Sequence, residues 1–262
     1  MGIVNVTPDS FSGGELDEQA AIAHGLELVA AGADIIDIGA ESSRPGAEPV
    51  AEDEEIRRMA PVVAALAARA GVPISIDTMK PAVAQRAMAA GATIWNDITA
   101  LSFAKESGET AAELGCEVVL MHMQGNPRTM QIAPSYGDVV EEVIDFLSER
   151  VETAIAAGVK PSRIWLDPGV GFGKTLEHNI ALLRALPRIV ALGYPVVLGA
   201  SRKGFIRGLD RMAAGPGERL GGSLAAALAG ARAGVAAVRV HDVRETKQAL
   251  IVDAAIRGGH LG

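Results

Sequence analysis

Eight short apolar, β-branched runs recur along the chain, and each is followed by a longer amphipathic, alanine-rich stretch. The runs are GIVNV (2–6), DIIDIG (34–39), PISID (73–77), TIWND (93–97), EVVLMH (117–122), RIWLD (163–167), PVVLGA (195–200) and AAVRV (236–240). Helical periodicity fills stretches such as 49–70, 137–157, 176–192, 219–233 and 243–257. Glycine in AAGA, LGC, AAGV and RAGV ends the helices, because it accepts the left-handed cap conformation that other residues resist. Eight strand-then-helix units with no second composition zone predict an α/β chain folded as one (β/α)8 barrel, a single domain over 1–262. A doubly wound sheet would need fewer strands and a glycine fingerprint after the first, and the chain has neither.

Composition excludes several partners. The net charge of -8, with no basic run to reverse it, argues against nucleic acid. No apolar run reaches ~18 residues without a charge, so no membrane span is expected. The single cysteine, Cys116, cannot form an internal disulfide, which suits a reducing cytoplasm. It sits in the apolar run CEVVLMHM and reads as a buried structural thiol. MGIVNV carries neither the basic segment nor the cleavage pattern of a signal peptide.

In such barrels the site lies at the C-terminal ends of the strands. Polar residues end the apolar runs at nearly every strand: Asn5; Glu41, Ser43 and Arg44; Asp77; Asn96 and Asp97; His122; Asp167; Ser201, Arg202 and Lys203; Arg239 and His241. Asp77, Asn96 and Asp167 are short, fixed groups, and a carboxylate there can take two parallel N–H donors from a flat, guanidine-like heterocycle edge. Lys203 and Arg239 can face a carbonyl, a ring or a phosphate. Asn5, Arg239 and His241 fall on the first and last strands, which become neighbours when the barrel closes, and together make an anion and metal-oxygen site. Scattered histidines and a lone cysteine rule out a zinc cage, so any metal is expected to be Mg2+ held by oxygens and substrate phosphate.

The stretch LDPGVGFGK (166–174) imitates two phosphate-binding motifs and fits neither. A P-loop needs glycine where Pro168 stands, and the dinucleotide fingerprint puts its third glycine on Lys174 or Leu176. Plainer roles compete elsewhere. A strand-end Asp often only caps the following helix. His122 in MHMQG reads as a packed, hydrogen-bonded histidine, and Lys174 as solvated. Trp95 and Trp165 are expected to point outward to the helices, EDEEIRR (52–58) to be an exposed helix start, and PGERLGGS (216–223) a helix start or a close helix contact.

GIVNVTPDSF, ESSRPGA, SIDTMKP, NDI, MHMQGNPRTM, LDPGVGFGK, SRKGFI and VRVHDV, in this order over essentially the whole chain, resemble the dihydropteroate synthases of the pterin-binding barrel family. The resemblance implies a cytoplasmic homodimeric transferase of folate biosynthesis. It would join 6-hydroxymethyl-7,8-dihydropterin diphosphate to 4-aminobenzoate and release diphosphate. It further implies Asn5 as the Mg2+ contact near the diphosphate, and Asp77, Asn96, Asp167 and Lys203 as the pterin set. Arg239 would cover the ring and, with His241, hold the diphosphate. Ser43 and Arg44 would belong to the mobile second loop, and Ser201 and Phe172 would border the aminobenzoate subsite. The chain departs from the family pattern in a shortened first loop, Val170 in place of an aromatic, and Gly204 after SRK. A methyltetrahydrofolate-dependent methyltransferase would keep the pterin contacts without TPDSF or the SRK lysine. A non-catalytic pterin-binding barrel would have lost Asn5, Arg239 and His241. A sugar-phosphate lyase barrel would want its Schiff-base lysine on a strand, whereas Lys203 follows one.

Overall fold

The computed structural model describes residues 1–7, 18–42 and 46–258. Most of the first loop, together with Ser43 and Arg44 of the second, lies outside the described residues. Six strands form one parallel sheet in sequence order: β1 (Gly2–Asn5), β2 (Ile36–Gly39), β3 (Ile74–Asp77), β4 (Ile94–Asp97), β5 (Glu117–Met121) and β6 (Ile164–Asp167). The short β7 (Val197–Leu198) and β8 (Ala237–Val238) pair in parallel with each other. Parallel bridges Leu166–Val196 and Gly2–Val240 join that pair to both edges of the sheet, so the barrel closes. Closure removes every sheet edge and leaves the strand ends as two rims.

The helices are α1 (Glu18–Ala30), α2 (Glu52–Arg69), α3 (Pro81–Ala89), α4 (Ser107–Leu114), α5 (Val139–Ala156), α6 (Leu176–Arg184), α7 (Leu186–Val190), α8 (Gly204–Leu209), α9 (Leu220–Ala233) and α10 (Val243–Ile256). The periodic stretch 176–192 is two helices rather than one. Pro187 lacks an N–H and sits in the first turn of α7, so the ladder breaks at Ala185. The predicted glycine stops hold: Gly32, Gly91, Gly115, Gly158 and Gly234 all have positive φ.

Alternation along the strands sorts side chains into two cores. The outer core lies between sheet and helices and includes Ile36, Ile38, Ile74, Ile76, Leu120, Ile164 and Leu166. Trp95 belongs there, as expected, and its indole N–H donates to the Thr78 carbonyl at 2.8 Å. Trp165 does not. It precedes Asp167 by two residues, so both turn inward, and it packs against Met1, Ile94, Val119 and Val197 inside the barrel. This apolar plug fills the lower barrel and leaves the upper rim to polar groups. Register sets those groups level: Asn5 faces Gly39, Gly39 faces Asp77, Asp77 faces Asn96, and Met121 faces Asp167.

Candidate active site

The rim is organised around a carboxylate that the strand-end pattern passes over. Asp37 lies mid-strand in β2, fully buried. An unpaired acid there would be prohibitive, and Arg239 supplies the partner. The Arg239 Nε donates to Asp37 Oδ2 at 2.6 Å, and its Nη2 donates to Asp77 Oδ2 at 2.7 Å. Asn96 Nδ2 lies 3.3 Å from the same Asp37 oxygen. Burial works against the charge of Arg239, but Asp37 and Asp77 outweigh it and hold its pKa above the ordinary value. Asp77 is pushed well above the carboxylate range by burial, with Arg239 pulling the other way and Asp37 adding repulsion. The signal for Asp37 was an acid inside an otherwise apolar strand, DIIDIG.

Asp167 ends β6. Its Oδ1 accepts the Gly169 N–H at 2.7 Å, and its Oδ2 lies on the side of Gly199, after β7. Burial raises its pKa, while the Gly169 bond, Lys203 and Arg239 lower it. Lys203 stands over the Phe172 ring, 4.1 Å from its centroid, in cation–π geometry. Burial brings the Lys203 ammonium down to about 8, helped by Arg239 and opposed by Asp167 and Asp77. Phe172 belongs to an apolar wall with Ile98, Met121 and Met130, flanked by Met79 and Met123. The mouth therefore offers two acids and an amide below, a thioether and aromatic wall at one side, and cations above.

Ser201 and His241 meet across the last two strands, with Oγ and Nδ1 3.1 Å apart. Burial, then Arg202 and Arg239, bring His241 down to about 4. At neutral pH it therefore offers this corner a hydrogen bond rather than a charge. Arg202 takes the left-handed conformation, φ 58°, and its N–H donates to Ser223 Oγ at 2.9 Å. Its carbonyl accepts from Arg219 at 2.9 Å, and its guanidinium pairs with Asp242. Arg219 and Ser223 come from PGERLGGS, which is thus the brace of the seventh loop. The structure brings together Asp77, Asn96, Asp167, Phe172, Lys203, Arg239, Ser201 and His241, with Asn5 at the end of β1 in the same rim.

Several expectations change. Lys174 is not solvated: it is buried, and its Nζ lies 2.8 Å from His122 Nδ1. EDEEIRR is not wholly exposed, because Glu55 is buried. It accepts from Lys80 at 2.6 Å, and Lys80 also pairs with Glu41. Glu41 is therefore a tether for the second loop. Asp97 faces away from the mouth and caps a turn, accepting from Thr99 N at 2.7 Å and Leu101 N at 2.8 Å. Cys116 is buried, with a thiol that burial raises to about 11, as a structural cysteine requires. Another opening, lined by Pro73, Thr93, Glu117, Ser162 and Arg163, lies at the opposite rim and holds none of the converging groups.

The glycines of LDPGVGFGK have a steric reason. Gly169, Gly171 and Gly173 all have positive φ. A Cβ on Gly169 would lie 1.9 Å from the His122 carbonyl oxygen, and one on Gly173 would lie 2.5 Å from that of Gln124. The sixth loop lies directly on the fifth, and only glycine allows that approach.

Comparison with known proteins agrees with this geometry. Residues 1–241 match the family described as pterin binding enzyme. Dihydropteroate synthase of Escherichia coli is 48% identical over 261 residues, 98% of this chain and 91% of that protein. The Yersinia pestis dihydropteroate synthase in a sulfonamide drug complex superposes with a TM-score of 0.94 at 43% identity, covering 99% of this chain and 94% of that one. The Xanthomonas albilineans dihydropteroate synthase in complex with 7,8-dihydropteroate gives 0.89 at 45% identity, over 99% and 94%. A closed parallel barrel with buried acids, an amide and cations converging on one rim, matched nearly end to end by these proteins, makes this chain a member of the dihydropteroate synthase family.

Proposed function

We infer that this chain transfers the dihydropterin-methyl group of 6-hydroxymethyl-7,8-dihydropterin diphosphate to the nitrogen of 4-aminobenzoate. The carrying observation is the convergence of Asp167, Asn96 and Asp77 beside an apolar wall, with Lys203 above it. A pterin needs these features together. Its amide and amino edge presents parallel donors to the two oxygens of the Asp167 carboxylate, its flat faces fill the space beside Phe172 and the methionines, and Lys203 meets its ring atoms.

The reaction breaks the methylene C–O bond to diphosphate, forms a C–N bond to the arylamine, and releases a proton from that nitrogen. The electron-rich ring supports positive charge on the methylene, so departure of diphosphate runs ahead of attack. Arg239 and the neutral His241 are proposed to receive the leaving group, the first as a charge and the second as a hydrogen-bond donor. Ser201 and Phe172, with Ser43 and Arg44, are proposed to border the aminobenzoate. No strong base is needed, because a neutral arylamine is already nucleophilic.

Mg2+ is proposed to sit by the side-chain oxygen of Asn5. Among the described residues no group of three acids, histidines or cysteines could hold a metal. That fits an ion held by one amide oxygen and the substrate diphosphate. Bound there, it would neutralise diphosphate charge. A homodimer is proposed from the exposed Ile251, Val252 and Ile256 of α10. Among the described residues no helix is long and apolar enough to cross a membrane. A cytoplasmic enzyme with one domain over 1–262 is the proposed setting.

The non-catalytic alternative predicts loss of the anion-site residues, and Asn5, Arg239 and His241 are all present. Mass spectrometry of the product from the pterin diphosphate and 4-aminobenzoate tests the reading. 7,8-Dihydropteroate is expected, and unreacted substrates under conditions where the folded protein binds pterin would refute it.

A further inference from the structure

The described mouth uses the sixth loop for Asp167 and Phe172 and leaves its last residue, Lys174, without a role. That residue is 3% exposed, yet among the described residues no carboxylate is hydrogen-bonded to its ammonium. Its contacts are His122 Nδ1 at 2.8 Å, the His122 carbonyl at 3.3 Å and the Phe172 carbonyl at 2.9 Å. A lysine carries three donors and no acceptor, so these three use it completely. The imidazole is neutral, because burial and then Lys174 lower its pKa to about 3. It can therefore accept.

These bonds close a circuit around the pterin-facing residues. The His122 N–H donates to the Asp167 carbonyl at 3.0 Å. The next carbonyls of the loop are fastened in turn: Gly171 accepts from Gln131 at 2.7 Å, Phe172 from Lys174, and Gly173 from the Tyr136 hydroxyl at 2.8 Å. His122, Gln131 and Tyr136 all belong to the fifth loop. The charged and titratable groups around the ammonium are His122 and Tyr136 from that loop, Asp167 from β6 and Lys203 from the seventh loop. Burial brings Lys174 down to about 7, with Asp167 opposing and Lys203 assisting. An ammonium without a contacting counter-ion weakens a fold. A packed methionine would fill the space without that penalty.

We propose that Lys174 is a positioning residue of the pterin pocket. It locks the sixth loop onto the fifth, fixing Asp167 and the Phe172 ring, and its charge adds to those of Lys203 and Arg239 in favouring the Asp167 carboxylate. This rests on the reading of Asp167 as a pterin contact and of Phe172 as a wall shared by the pterin and the aminobenzoate. Lys174 acts on Asp167 through space, in the direction that lowers its pKa. Removing the charge therefore raises the Asp167 pKa and moves the acid limb of pterin affinity to higher pH. A purely structural role would weaken binding without moving that limb.

The test uses the full chain with Lys174→Met, which removes donors and charge, and Lys174→Gln, which removes the charge and one donor but keeps two donors. Affinity for 6-hydroxymethyl-7,8-dihydropterin diphosphate is measured by calorimetry against pH, with melting curves to establish folding. Lys174→Met is expected to lose about 10- to 100-fold in pterin affinity, the range of a lost charged hydrogen bond. Its aminobenzoate affinity in the presence of saturating diphosphate should fall less, because that subsite borders Phe172 but not Asp167. Lys174→Gln should lose less affinity, yet both variants should show the acid limb displaced upward. If Lys174→Met does not fold, the displaced limb in Lys174→Gln decides the matter. A folded variant with wild-type pterin affinity and an unmoved limb overturns the proposal, as does an equal loss for both ligands. A wild-type chain that binds no pterin would instead refute the reading beneath it.

Discussion

Among the described glycines, Gly169→Ala brings the added carbon nearest to another atom, and the size of its effect can be worked out from two facts. The backbone at Gly169 has φ +66°, a conformation that disfavours a β-carbon by about 1–2 kcal/mol. The added carbon would lie 1.9 Å from the His122 oxygen, against an ordinary C···O approach of roughly 3.3 Å. The atom it meets is backbone, so rotamer change cannot relieve the overlap. The fifth and sixth loops must separate by over an ångström, which strains the His122 N–H bond to the Asp167 carbonyl (3.0 Å) and the Lys174 bond to the His122 carbonyl (3.3 Å). Losing a hydrogen bond to a charged donor costs about 1.5–3 kcal/mol, so the variant should lose about 2.5–5 kcal/mol in all. Against a total stability of roughly 5–15 kcal/mol that is severe. Urea unfolding midpoints measure it. Gly204→Ala is the control: it opens α8, has no positive φ, and a Cβ there meets nothing within 4 Å. That change should be neutral or stabilising by up to about 1 kcal/mol. A Gly169→Ala loss below about 1 kcal/mol would refute the steric reasoning.

Three further outcomes follow from the same contacts. Asp37→Asn removes the charge that holds Arg239 from below, so the guanidinium leans on Asp77 alone; pterin affinity by calorimetry should fall by about tenfold or more. The neutral buried His122 and His241 have folded pKa values below that of an unfolded histidine, about 3 and about 4. The unfolded chain therefore binds more protons as pH falls below about 6.5, and each histidine removes stability at up to about 1.4 kcal/mol per pH unit. Urea midpoints from pH 7 to 5 should show a shallower decline in His122→Gln, and an unchanged slope would contradict the assignment. The last concerns binding order. Aminobenzoate is a small ligand with one carboxylate, whereas diphosphate with Mg2+ offers several charged oxygens to the rim. Aminobenzoate titration should give weak binding alone and clear binding once diphosphate and Mg2+ are present; equal affinity in both would leave a preformed pocket as the better account.

The barrel was legible because it follows from local physics repeated eight times. Strand runs, glycine stops and polar strand ends each report on a few neighbouring residues, and the closed register then follows. Residues whose roles depend on distant partners were not legible. Asp37 finds Arg239 across 202 positions of chain, and Lys174 finds His122 across 52. Asp37 breaks an apolar strand and could have been suspected. Lys174 could not, since a lysine after a glycine loop looks solvated until two loops close over it. Trp165 was misread by one step of strand alternation, an error of counting rather than of physics. Glu55 shows the limit of composition: in an acidic helix start one carboxylate of the run turns inward to meet Lys80.

Diphosphate release is the most direct measure of the proposed chemistry. The wild-type chain, given the pterin diphosphate, 4-aminobenzoate and Mg2+, should release diphosphate in step with dihydropteroate, and omission of aminobenzoate should nearly abolish the release. Asp167→Asn, which turns one acceptor of the pterin edge into a donor facing donors, should fall by about a hundredfold at subsaturating pterin. Release that continues unchanged without aminobenzoate, or an Asp167→Asn variant as active as the wild type, would contradict the account.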